Sequence, residues 1–138
     1  MSTIDWSEDL PVAEVRIARP TDKLDEVVRF YTGGIGLKRI GGFKGHQGYD
    51  GEILGLPGIS YHLEFTQHVD GSPCPATTKD NLLVFYIPNQ NVVNRIIERL
   101  RTMGYPPVSP ENPYWEKDGV TIEDPDGWRV VLMRRSYS

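Results

Sequence analysis

Little in this sequence can be cross-linked, sunk into a membrane or laid along a polyanion. A single cysteine, Cys74, rules out an internal disulfide and makes a reducing compartment the economical reading. It sits in GSPCPATT, a loop-like stretch with no base or charge to activate a thiolate, so it reads as inert. No apolar run approaches membrane-spanning length. The opening residues, MSTIDWSEDLP, lack the basic and apolar regions of a signal peptide. There is no basic block, and 15 Lys and Arg against 19 Asp and Glu leave a net charge of -4. Nucleic acid and anionic membranes are therefore poor partners, and a cytoplasmic protein is expected.

What is present is enough for one packed domain. The 138 residues are 38% hydrophobic and 25% charged, the balance of a globular chain with a real core. The firmest local signal lies near the end, in GVTIEDPDGWRVVLM from Gly119 to Met133. Two β-branched runs flank Asp124, Pro125, Asp126 and Gly127, whose chemistry is that of a tight turn, so an antiparallel hairpin is predicted. Alternation after the turn sets Trp128, Val130 and Leu132 on one face and Arg129, Val131 and Met133 on the other. An arginine on an otherwise apolar face either lines a site or snorkels at a sheet edge.

The remaining elements repeat in order. Ala13 to Ala18 alternates as a half-buried strand stopped by Arg19 and Pro20, and Thr21 is placed to cap a helix carrying Leu24, Val27, Val28 and Tyr31 on one stripe. Gly33 and Gly34 then offer a left-handed stop. Strands are predicted over Leu37 to Lys44, Tyr49 to Leu54 and Tyr61 to Thr66, the last with His62 and Glu64 on one face. After a linker at 67–79, Asn81 to Ile87 reads as a strand, and Val92, Val93, Ile96, Ile97, Leu100 and Met103 form the stripe of a second helix ended by Gly104. Strand, helix and about three strands, twice over, gives an α+β fold of two βαβββ modules, about 12–66 and 80–135. The faces turned from the helices are expected to gather Arg16, His62, Glu64, Asn81, Phe85 and Arg129 on the concave side of a mostly antiparallel sheet.

This double βαβββ order, RPTDKL followed by FY at Phe30 and Tyr31, GIGL at Gly34 to Leu37, YHLEFT and EDPDGWRVVL together resemble the vicinal oxygen chelate superfamily. Glyoxalase I, extradiol dioxygenases and the fosfomycin and bleomycin resistance proteins belong to it. The resemblance implies a cup, usually with a divalent metal held by the first, fourth, fifth and last strands. Carried over position by position, that set becomes Arg16, Glu64, a place near Asn81, and Val131. A guanidinium cannot ligate a cation, valine has no lone pair and an amide is a poor ligand for a soft metal. Glu64, even helped by His62, does not hold a catalytic metal.

Arg16 at the vacated position instead predicts an ion pair with Glu64 inside the cup. Two functions follow. One is a metal-independent pocket for a small molecule, with Arg16, Asn81, Phe85, Tyr114, Trp115 and Arg129 as ligand contacts. The other is a divalent-metal lyase, transferase or dioxygenase using Glu64 and His62, the latter for acid or base work. A homodimer is a further expectation, since dimers are the commonest oligomers.

Overall fold

The structure, a computed structural model, describes residues 10–136, so the leader reading at the first nine residues lies outside the described part. The eight strands fall into two four-stranded sheets, each with one parallel and two antiparallel pairings. In the first module β1 (Val15–Pro20) leads into α1 (Leu24–Arg29), a π-helical turn (Phe30–Ile35), β2 (Lys38–His46), β3 (Tyr49–Gly55) and β4 (Tyr61–His68). The second has β5 (Leu82–Tyr86), α2 (Gln90–Thr102), β6 (Pro107–Val108), a 3-10 turn (Pro113–Trp115), β7 (Gly119–Glu123) and β8 (Arg129–Met133). Sheet orders are β1-β4-β3-β2 and β5-β8-β7-β6, the same topology twice. The parallel pairs, β1 with β4 and β5 with β8, are possible only because a helix and two strands return the chain to its starting edge.

Several boundaries move for physical reasons. β1 absorbs Arg19 and Pro20, which the sequence reading took as its end; a proline with no N–H to donate is tolerated in an edge strand. Thr21 does not cap α1 from the N-cap position, which falls on Lys23. Its buried hydroxyl accepts from the Lys23 N–H at 2.9 Å and donates to Asp126 in the other module at 2.7 Å. The first helix does not stop at Gly33 and Gly34 but widens into the π-helical turn, and the left-handed residue is Gly36, with φ at +108°. Gly34 serves packing instead: a Cβ there would strike the Leu100 side chain of α2, so its absence lets the two helical segments touch. β4 runs to His68, two residues into the predicted linker. The second helix matches its reading, with Val93, Ile96, Ile97 and Leu100 buried and the Asn89 carbonyl oxygen capping the N–H groups of Asn91 and Val92.

One core serves both modules. Val27, Phe30, Leu54, Val93, Leu100, Ile122, Val130 and Leu132 have no measurable exposure and belong to a single cluster. Tyr31 stacks on Phe65 at 5.0 Å, and Phe30 meets Tyr105 edge-on at 5.1 Å. A buried polar bolt runs across the same junction. Arg19 at the end of β1 reaches Asp124 at 2.6 Å and Asp126 at 2.8 Å, in the turn between β7 and β8. The Tyr31 hydroxyl donates to the same Asp124 oxygen at 2.7 Å, and the other oxygen accepts the Asp126 and Trp128 N–H groups. The Arg19 guanidinium lies 5.0 Å from the Phe65 ring centre and 5.3 Å from that of Trp128. Burial pushes the Asp124 carboxyl up from its ordinary range, against the pull of Arg19, Tyr31 and the two backbone donors.

Candidate functional site

The strand registers fix which side chains share a face. Leu54, Leu63 and Phe65 join the core, so their alternates on β3 and β4 turn away from the helices. Ile53 opposite Glu64 and Gly51 opposite Thr66 therefore stand on the outer face of the first sheet, with His62. β1 brings Arg16 beside them, in register with His62. Arg16 Nη1 donates to Glu64 Oε1 at 3.2 Å, the ion pair expected from sequence. A second carboxylate, Glu14, lies 3.9 Å from Arg16 and 3.2 Å from His62 Nδ1. Its approach to the imidazole is off the line a hydrogen bond requires, so the buried Nδ1 has no hydrogen-bond partner among the described residues.

An apolar floor adjoins this polar group. Gly51 has no side chain to block the Phe43 ring, which lies across it, and Ile40 and His62 crowd together over Gly55 in the same way. Ile40 occupies a bulge between the paired residues Arg39 and Gly41 and is 47% exposed. The outer face thus combines an aromatic ring, two isoleucines, a guanidinium, a carboxylate and an imidazole. Ile40, Phe43 and Ile53 have no counterpart among the site residues expected from sequence, where LKRIGGFKGHQGYDGEIL reads as two glycine-rich strands joined by a turn; glycines set opposite bulky residues were the available signal.

The sequence patterns of the YycE-like N-terminal and C-terminal domains match residues 15–66 and 80–134. A curated relative, the protein YycE of Bacillus subtilis strain 168, is 58% identical over 121 residues, covering 88% of this chain and 87% of its own. The chain belongs to the YycE-like family. The crystal structure of a Bacillus subtilis YycE protein of unknown function superposes with a TM-score of 0.87 at 55% identity, over 92% of this chain and 93% of the other. The trypanothione-dependent glyoxalase I of Leishmania major follows with a TM-score of 0.69 at 17% identity, covering 87% and 84%. The fosfomycin resistance protein FosX of Mesorhizobium loti gives 0.64 at 14%, covering 89% and 90%. At those identities the likeness to these two proteins is one of fold alone. The YycE-like chain shares their fold of two βαβββ modules, the fold expected from its resemblance to the vicinal oxygen chelate superfamily.

The metal that many superfamily members use does not fit these residues. Among the described residues no group of three or more His, Cys, Asp or Glu side chains could hold one. Glu64 is engaged by Arg16, and Val131 is fully buried without a donor atom.

The second sheet of the YycE-like chain corrects two expectations and refines three. Phe85 pairs with Leu132 and packs on the shared core, so it stands on the helix side. Asn81 lies in a turn before β5, where its Oδ1 accepts from the Thr77 and Thr78 hydroxyls at 2.7 and 2.6 Å. The outward register of β5 begins one residue later, with Leu82 opposite Arg129. Arg129 does face outward but is only 6% exposed, held by Glu123 at 3.1 Å and by the Ser109 carbonyl at 2.9 Å. Tyr114 and Trp115 meet edge-on at 5.0 Å in the 3-10 turn, beside β7, and no described contact joins them to Arg16, Glu64 or His62.

Proposed function

We propose that this protein binds a small organic molecule on the outer face of the first sheet and does so without a catalytic metal. The Arg16 and Glu64 ion pair carries the reading, because it occupies a position where superfamily resemblance calls for metal ligands. Its contribution to folding is small: with Arg16 41% exposed, such a pair is worth about 0.2–1 kcal/mol. A polar cluster that stabilises the fold so little, set beside an apolar floor, is suited to recognition. Phe43, Ile40 and Ile53 supply area for a flat or branched apolar part, while Arg16, Glu64 and His62 Nδ1, which has Glu14 at 3.2 Å but no hydrogen bond, supply donors and acceptors for polar groups. His62 is also the group on this face suited to proton transfer.

The test is a thermal-shift screen of a metabolite library with and without EDTA, since a ligand that prefers the folded state raises its melting temperature. Hits are expected that persist in EDTA and vanish in Arg16→Ala and Glu64→Gln. Both variants should unfold within about 1 kcal/mol of the parent. Stoichiometric zinc, nickel, manganese or iron by elemental analysis, with hits that EDTA abolishes, would overturn the metal-free reading.

A further inference from the structure

The two modules leave a cleft between β1 and β5, and Arg16 is not part of its lining. Its volume is about 270 Å³, and its walls come from both modules: Ile17, Leu63 and Phe65 from the first, Leu83 and Trp128 from the second, with Arg19 between them. We propose that this cleft binds a neutral bicyclic aromatic molecule carrying one hydrogen-bonding ring atom.

Four observations converge on that class. Volume comes first. A dry cavity of roughly 150 Å³ accommodates a single benzene ring, so about 270 Å³ suits a fused pair of rings. The lining comes second: three aromatic rings, Tyr31 joining Phe65 and Trp128, and four branched aliphatic side chains, Leu82 among them, with Ile17 left 54% exposed on a strand whose neighbours in the core are covered. Water in contact with such walls is readily displaced by an apolar body.

Charge comes third. Two guanidinium groups border the cleft, yet each is already matched, Arg19 by Asp124 and Asp126 at 2.6 and 2.8 Å and Arg129 by Glu123 at 3.1 Å. No excess positive charge remains to draw an anion. Backbone comes fourth. Among the described strands β1 pairs only with β4 and β5 only with β8, so the other edge of each keeps main-chain donors and acceptors beside the cleft. A ring N–H or ring nitrogen meets such a group; a plain hydrocarbon does not.

The experiment titrates full-length protein, labelled at its Ile, Leu and Val methyl groups, with indole, quinoline and naphthalene. Saturable shifts are expected at Ile17, Leu63 and Leu83 for indole or quinoline, with naphthalene at least several-fold weaker. Ile17→Trp, which fills the cleft from an exposed position and spares the core, should weaken binding at least tenfold while leaving the unliganded melting temperature near the parent's. Arg16→Ala should leave these shifts intact, because Arg16 does not line the cleft. Shifts that grow linearly without saturating overturn the proposal. So do saturable shifts at Ile40 and Ile53 that Arg16→Ala removes, which would assign the aromatic to the outer face. A particle mass that rises with concentration and is abolished by Ile17→Trp would give the cleft to a second copy of the chain, and would equally overturn it.

Discussion

At the scale of single residues, Tyr31 shows how a core side chain can govern alkaline stability. Burial, and then the charge and hydrogen bond of Asp124, hold its phenol well above the ordinary value of 10.0. In the unfolded chain the phenol ionises near that ordinary value; in the folded protein it stays protonated to higher pH. The contribution is therefore fully present below pH 10 and is lost as pH climbs toward the folded value. Between pH 9 and 11 the urea midpoint of the parent should fall more steeply than that of Tyr31→Phe. The variant should itself cost about 1–2 kcal/mol at pH 7, for the Asp124 oxygen left with one donor fewer. Equal slopes in the two proteins would show that the phenol does not titrate differently on folding. The same neighbourhood marks what a sequence hides. Arg16 and Glu64 were legible as a pair because each falls on a recognisable strand position. Arg19 and Asp124 were not, since 105 residues separate them and Asp124 already had a sufficient local reason to exist, as a turn former.

Among elements, the contact between the π-helical turn and α2 depends on Gly34. Gly34→Ala drives a methyl group into Leu100, a side chain with no exposure, and the repacking should cost about 1–3 kcal/mol. Leu100→Ala in the same chain should give a double variant less destabilised than the two single costs added together, measurable by urea unfolding. Strict additivity would mean that the glycine does not matter for this packing. Element identity was readable almost throughout, because 2.0 and 3.6 periodicities are strong over β4, β8 and α2. Facing was less so. Val15 and Ile17 alternate as a half-buried strand should, yet are 51% and 54% exposed, because β1 lies at a sheet edge and alternation does not report what covers it. Phe85, expected on the concave face, pairs with Leu132 and packs on the core, and Asn81, whose amide binds two threonine hydroxyls in a turn, never enters the ladder.

Among the described residues one hydrophobic cluster spans both modules and the Arg19 ion pairs join them, so the two modules should not unfold separately. Far-ultraviolet dichroism, which follows both sheets, and tryptophan fluorescence should give coincident urea transitions. Two resolved transitions would show that each module holds its own fold. None of the described helices is long and apolar enough to cross a membrane. The pairing of β1 with β4 bears on how the protein comes into being. Val15 has its ladder partner at Tyr61, 46 residues downstream, and Leu82 waits for Arg129 across a similar span. At a synthesis rate of roughly 5–20 residues per second, β1 stands without its neighbour for about 2–9 s while the ribosome delivers it. During that interval the apolar side chains of Val15 and Ile17 are open to whatever chaperone or nascent chain is near, and β5 waits in the same condition for β8.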